Sequence, residues 1–210
     1  MTGATLSLFL IAALAIAAIP GPGILYVAAR TLAGGRRAGI ASAFGTALGG
    51  LVHVIAGGIG VSALILASAQ LFTVLKLAGA LYLVWLGIRS FRDAGRALPE
   101  PLAATGREQA FREGVLVEAL NPKTAAFFLA FVPQFVDPTA GYPALQFIAL
   151  GLTSVTLNTL ADVIVVMFAA TASATLRRRP DVIQRLKQGS GLCMAGLGLS
   201  LALARRPGTS

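Results

Sequence analysis

Four ionisable side chains lie inside apolar segments, where a charge is costly and indicates a function. They are Lys123, Asp162, Glu118 and His53. Ionisable groups at membrane depth are rare and mark substrate or proton pathways. Asp162 follows Asn158 by one helical turn, so both side chains share one helix face. We expect Asp162 to carry a proton or to anchor a substrate ammonium; the alternative is a fixed ion pair with Lys123.

The other three groups differ in their expected roles. Lys123 lies about a dozen residues into its segment, near the middle of a bilayer at ~1.5 Å per residue. Its ammonium can hold a substrate carboxylate or form a structural ion pair. Glu118 either pairs with a loop arginine or belongs to a proton path. His53, the single histidine, is a proton-relay candidate near neutral pH or a neutral hydrogen-bonding residue.

Two proline-containing breaks interrupt apolar segments in corresponding places. Proline removes a backbone donor and clashes with the preceding turn. In hydrocarbon the freed carbonyls are tolerated only against protein or a water-filled cavity. Paired breaks of this kind indicate the substrate site of a secondary transporter, and the alternative is a packing kink. The predicted substrate-binding residues are Pro20, Gly21, Pro22, Gly23, Asn121, Pro122, Lys123, Asn158 and Asp162.

Composition places the chain in a membrane. Of its 210 residues, 56% are hydrophobic and 12% are charged, about half the charged fraction of a soluble domain. The net charge of +9 does not indicate nucleic-acid binding, because the basic residues are confined to connections between apolar runs. One cysteine and one histidine form no metal or redox pattern, so we expect no cofactor.

Six apolar runs predict six membrane spans at roughly 4–29, 39–68, 71–91, 111–136, 143–174 and 183–204. Basic residues cluster after the first, third and fifth spans, which places those connections in the cytoplasm and both termini outside. A five-span chain with its basic C-terminal tail inside is the alternative. The first segment lacks a basic start, so we expect a permanent helix rather than a cleaved signal peptide.

The predicted fold is an all-α integral membrane protein built from two inverted three-helix repeats. A polar, proline-bearing linker at 93–110 separates a first repeat at 1–92 from a second at 111–210. Because each repeat has three spans, the second enters the membrane from the opposite side. The break at Pro20 aligns with the break at Asn121, so helices 1 and 4 are the expected broken helices.

The motifs together resemble the LysE/RhtB-type family of bacterial amino-acid exporters. They are Pro20-Gly21-Pro22, Gly79-Ala-Leu-Tyr-Leu83, Leu120-Asn-Pro-Lys123, Phe127-Phe128 and Phe131-Val-Pro-Gln-Phe135. The resemblance covers nearly the whole chain. It implies export of amino acids or close derivatives across the bacterial inner membrane, driven by the proton motive force.

We therefore expect a secondary transporter that exchanges an amino acid for protons across the lipid bilayer. Asp162, His53 and Glu118 are the proton-coupling candidates. The lack of an acidic cluster favours neutral amino acids as substrates. The sequence leaves open whether the protein forms a homo-oligomer. An exporter of another solute, such as a metal cation, is the first alternative. A membrane enzyme is the second, although its polar residues would be expected to cluster near one interface.

Overall fold

A computed structural model describes residues 3–67, 69–95, 103–176 and 180–203, and helices account for most of them. A π-helical segment covers Phe127–Phe131, and short 3-10 turns cover Asp93–Gly95, Val132–Phe135 and Pro138–Ala140. The predicted all-α class is confirmed. The α-helices are α1 (Gly3–Ala18), α2 (Pro22–Ala67), α3 (Ala69–Arg92), α4 (Arg107–Ala119), α5 (Pro122–Ala126), α6 (Pro143–Leu176) and α7 (Pro180–Leu203).

Both proline-containing breaks interrupt the helices as the sequence predicts. The first separates α1 from α2, and the second separates α4 from α5. The helical stretches Arg107–Ala119 and Pro122–Phe135 meet at an angle of 41°. Proline fits the first turn of α2 and of α5 because the amides at a helix start need no partner within the helix.

Several helices have the length and hydropathy of a membrane span. Among the described residues these are Pro22–Gly60, Thr73–Arg92 and Pro143–Ala169, and the bent pair from Arg107 to Phe135 adds a fourth. A shorter apolar helix covers Thr5–Ala18. Six crossings in two inverted repeats, and the repeat boundaries, stay a prediction. Linker residues 96–102 and the tail from 204 onward lie outside the described residues.

The end of the first predicted span lies further along the chain than the sequence indicated. The helix continues past residue 29, and only Gly35 departs from helical geometry, with φ 76° and ψ −177°. That conformation is nearly restricted to glycine, so one residue makes the turn. We therefore treat α2 as a first part, 22–34, and a second part, 36–67.

The second part of α2 lies between α4 and α6. Gly50 faces Val155 and Gly58 faces Ile148, so α2 and α6 run antiparallel. Toward α4, Gly45 lies against the backbone of Phe111. The absence of side chains at these glycines lets the helices approach closely. The second part of α2 thus packs closely against both α4 and α6.

A second close pair is formed by α3 and α7. A Cβ on Gly87 would contact the backbone oxygen of Gly191, and a Cβ on Gly191 would contact the oxygen of Gly87. Gly198 lies against Ala80, nearer the start of α3, so the two helices run antiparallel. These directions are those that alternate membrane crossings require.

An aromatic core fills the space between α1 and residues 127–135, the segment that follows α5. Phe9 is fully buried and meets Phe135 edge to face at 5.2 Å between ring centroids. Phe131 lies 5.0 Å from Phe135 and stacks on Phe127 at 5.2 Å. Large apolar side chains such as Ile59 are instead exposed on the outside, as a lipid-facing surface requires.

Candidate functional site

Lys123 joins the two broken helices. Its buried ammonium donates hydrogen bonds to the carbonyl oxygen of Ile16 at 3.2 Å, in the last turn of α1, and to that of Ile19 at 3.0 Å, directly after the helix. A helix ends with carbonyls that have no partner within it, and a cation there also matches the helix dipole. Gly21 lies beside the lysine, since a Cβ there would be 3.1 Å from Nζ. Lys123 therefore caps α1 across the first break.

Glu118 and Asn121 organise the second break. Asn121 caps α5, because its Oδ1 accepts a hydrogen bond from the Lys123 amide at 3.0 Å. Its Nδ2 donates to Glu118 Oε2 at 2.9 Å, and the Thr124 hydroxyl donates to Oε1 at 2.6 Å. Glu118 is only 4% exposed. Glu118 therefore accepts hydrogen bonds from two neutral side chains instead of pairing with a loop arginine, which was one of the two alternatives predicted from the sequence.

The Glu118 carboxylate also lies against the start of α2. A Cβ placed on Gly23 would overlap with Oε2 of Glu118. The first turns of α2 and α5 each present the positive end of a helix dipole, which favours an anion. The carboxylate of Glu118 therefore occupies the position between the two half-helices.

Replacing Gly23 with alanine tests how closely Glu118 must approach α2. The added methyl displaces the Glu118 carboxylate, because the glycine leaves no space for a Cβ. We expect Gly23→Ala to reduce transport about tenfold or more, since misplacement of groups by about 1 Å costs ~100-fold in enzyme active sites. Gly60→Ala is the matched control, because among the described residues no heavy atom from outside its own stretch of helix lies within 4 Å of its Cβ position. Equal transport by both variants would contradict the close approach.

Asp162 lies across from the breaks, in the middle of α6. Its Oδ2 is 2.8 Å from the hydroxyl of Thr46 on α2, and both residues are buried. The same hydroxyl is 2.7 Å from the carbonyl oxygen of Ala43. Among the described residues no ion pair within 4.0 Å joins Asp162 to Lys123. The fixed salt bridge that the sequence left open is thus not present.

A cavity lies between α1, α2, α6 and the second break. Glu118, Asn158 and Asp162 line it, together with hydroxyl-bearing side chains. The cavity has a volume of about 20 Å³. That room holds about one water molecule. The helices must therefore separate before a larger molecule can enter.

The remaining predicted residues lie beside the cavity rather than in its lining. His53 is 3.0 Å from the backbone oxygen of Glu118 through Nε2 and stacks on Phe128. It therefore contacts the end of α4. The prolines and glycines of the breaks shape the turns, and Lys123 and Asn121 hold them together. Of the predicted residues, Glu118, Asn158 and Asp162 are the ones that line the cavity.

A polar network around the buried Arg30 was missed by the sequence reasoning. Arg30 is 5% exposed and forms an ion pair with Glu113, linking the first part of α2 to α4. Its guanidinium also donates to Tyr26 Oη at 3.2 Å and to the Ala103 oxygen at 2.8 Å. Tyr26 donates to the Ala110 oxygen at 2.9 Å. Tyr26, Arg30 and Glu113 are called the Arg30 network below. The four-residue spacing of Tyr26 and Arg30 was the available signal.

Comparison with known proteins assigns the family. The model of the LysE type translocator family matches residues 14–205. The chain belongs to the LysE-type translocator family. This LysE-type translocator is therefore a membrane transport protein, and the family resemblance found in its motifs is confirmed. No solved structure matches it.

Relatives of the translocator extend along most of its length. An uncharacterized membrane protein of Vibrio cholerae is 35% identical over 94% of this chain and 96% of its own. A homoserine/homoserine lactone efflux protein of Salmonella typhimurium is 32% identical over 89% of this chain and 90% of its own. A leucine efflux protein of Salmonella choleraesuis is 30% identical over 69% of each chain.

Proposed function

We propose that this translocator exports small amino acids or close derivatives from the bacterial cytoplasm in exchange for protons. The observation that carries the proposal is the cavity beside two broken helices, lined by the buried carboxylates of Glu118 and Asp162 and by the Asn158 amide. Discontinuous helices around a midplane cavity are typical of secondary transporters. Relatives named as homoserine/homoserine lactone and leucine efflux proteins support amino acids as the substrate class.

The surroundings of Asp162 suit a carboxyl group that binds and releases a proton. The Thr46 hydroxyl has one proton but faces two acceptors, the Ala43 carbonyl and Asp162 Oδ2. Both contacts become hydrogen bonds when Asp162 is protonated and donates to Thr46, while Thr46 donates to Ala43. When Asp162 is ionised, only one of the two contacts can receive the hydroxyl proton. Asp162 is therefore our principal proton-coupling residue.

Exchange follows if the substrate ammonium and the proton compete for Asp162. From the cytoplasm, the ammonium binds the ionised carboxylate, assisted by Asn158 one turn away. After the cavity opens outward, a proton displaces the ammonium and the substrate leaves. The protonated carrier returns and releases the proton to the cytoplasm. One site that holds either cation, but not both, couples the two fluxes.

The breaks hold the cavity in shape in this proposal. Lys123 ties the end of α1 to α5, and Asn121 ties Glu118 to the second break. The predicted substrate-binding role of the break residues thus becomes one of positioning for Lys123 and Asn121. Glu118 lines the cavity directly and, with His53 on its backbone oxygen, forms the second proton-coupling candidate.

In this proposal the Arg30 network closes one end of the cavity. By the positive-inside rule, the turn at Gly35 and its neighbouring arginines lie on the cytoplasmic side of the inner membrane. Arg30 and Glu113 then join the predicted repeats on the cytoplasmic side. Phe9 and Phe135, which pack edge to face, would close the opposite end in the same proposal. We propose that rocking of the repeats breaks the Arg30 network so that the cytoplasmic substrate can enter.

Removing the charge of Glu113 is expected to open the cytoplasmic end. Glu113→Gln eliminates the ion pair and leaves the buried Arg30 guanidinium without its anionic partner, which weakens the contact between α2 and α4. In a Cys193→Ala background, a cysteine at the cavity position, Ala47→Cys, reports access. We expect a charged thiol reagent on the cytoplasmic side to label it about tenfold faster in Glu113→Gln. That ratio corresponds to about 1.4 kcal/mol.

The control for this labelling experiment is Glu108→Gln. Glu108 pairs with Arg112 on the exposed face of α4, with side chains 77% and 74% exposed. Exposed ion pairs contribute little, so labelling of Ala47→Cys should not change in this variant. An unchanged rate in Glu113→Gln as well would remove the gating role from the Arg30 network.

Flux into inverted membrane vesicles tests the proposed function. The vesicles expose the cytoplasmic face and acidify their interior, so an exporter that exchanges protons accumulates its substrate. Labelled threonine, homoserine, leucine and lysine are supplied with and without an uncoupler, against vesicles that lack the protein. Uncoupler-sensitive accumulation of any of them supports proton-coupled export and identifies the side-chain class. No accumulation, from protein shown to be inserted, would overturn the amino-acid assignment.

A further inference from the structure

We infer that the cavity recognises the transported molecule through its ammonium group and does not require its carboxylate. The inference rests on the proposed function and specifies its substrate class. Primary amines with an uncharged remainder, such as amino-acid amides, esters and lactones, fit this site as well as the amino acids do. Molecules that keep the carboxylate but have a blocked amine do not fit it.

The charges around the cavity disfavour a substrate carboxylate. Among the described residues that line it, Glu118 and Asp162 have carboxylates, and none is a lysine or an arginine. A carboxylate buried without a cation or a sufficient set of donors loses its hydration without replacement. Here it would also approach two groups of its own sign. The lining therefore favours the positive end of a zwitterion over the negative end.

The groups that could hold a substrate carboxylate already have partners within the protein. The Lys123 ammonium donates to the carbonyl oxygens of Ile16 and Ile19 and is not part of the lining. The first turns of α2 and α5 face the carboxylate of Glu118 instead of an open space. A substrate carboxylate would have to displace Glu118, which itself would then be buried with its charge uncompensated.

Hydrogen-bond acceptors for a substrate ammonium remain available on α6. Within the described part of the chain, Oδ2 is the only oxygen of Asp162 with a hydrogen-bond partner, and the Asn158 amide has none. Thr159 and Ser154 donate their protons to carbonyls of their own helix, so their oxygens can still accept. An ammonium has three protons to donate, and one face of α6 supplies these oxygens.

The inference is tested by binding of a matched series of ligands to the purified full-length protein. Leucine, leucinamide and N-acetylleucine are compared with threonine, threoninamide and N-acetylthreonine at about pH 6.5, below the ordinary pKa of an α-amino group. The shift in thermal unfolding temperature gives the affinity, because a ligand that binds the folded state stabilises it. Competition with the accumulated substrate in inverted vesicles gives a second readout, with the vesicle pH gradient followed by a dye.

We expect the amide to bind as tightly as its parent amino acid or more tightly, and the N-acetyl form to bind about tenfold more weakly or worse, about 1.4 kcal/mol. Binding of the amino acid without binding of its amide would overturn the inference and leave the proposed function intact. Equal binding of the N-acetyl form would overturn it as well. A folded protein that binds and transports none of the six would overturn both proposals.

Discussion

Asp162→Asn is expected to abolish transport while the protein still inserts and folds. Asparagine keeps the shape of the side chain and its contact with Thr46, but it neither binds a proton nor neutralises an ammonium. Removing one member of a buried charge pair costs about 2–5 kcal/mol, which is roughly 30-fold or more in affinity. Uptake into inverted vesicles and exchange of labelled for unlabelled substrate should both fall by at least that factor.

The exchange measurement separates two roles for Asp162. If Asp162 binds both the ammonium and the proton, exchange without a pH gradient disappears in Asp162→Asn. If exchange persists and becomes independent of pH, Asp162 carries only the proton and the competition mechanism is wrong. Glu108→Gln, which removes a carboxylate from the exposed face of α4, should transport as the unmodified protein does.

The second large effect is expected for Lys123→Met. The substitution leaves the carbonyl oxygens of Ile16 and Ile19 without the lysine donor at the buried end of α1. An unsatisfied buried acceptor costs about 1–3 kcal/mol. We expect transport to be lost and the thermal unfolding temperature of the purified protein to fall by several degrees, about 2–4 °C per kcal/mol for a chain of this size.

Stability distinguishes a cap from a direct contact at Lys123. Loss of transport with an unchanged unfolding temperature would indicate that the lysine contacts the substrate, as the sequence first suggested. Normal transport would remove Lys123 from the mechanism altogether. Arg112→Met is the matched control, because it removes a cation that is 74% exposed and paired only at the surface.

Local features of the chain predicted much of the architecture. Proline lacks an amide hydrogen wherever it stands, so the breaks at Pro20 and Pro122 were visible without any knowledge of neighbours. The apolar runs predicted helices, because each backbone polar group in hydrocarbon must find its hydrogen-bond partner within its own segment. The end of the first span was placed too early, at residue 29, because the nearby arginines looked like a loop while Arg30 is in fact helical and buried.

The sequence alone determined that this protein is a broken-helix membrane transporter with buried charges at Lys123, Glu118 and Asp162. Only the tertiary structure decided which groups those charges meet. Lys123 meets carbonyls more than a hundred residues earlier, and Asp162 meets Thr46, 116 residues away. Such pairings depend on the rotation and register of each helix against its neighbours. Helices that are apolar on all sides do not reveal in their own sequence which face turns inward.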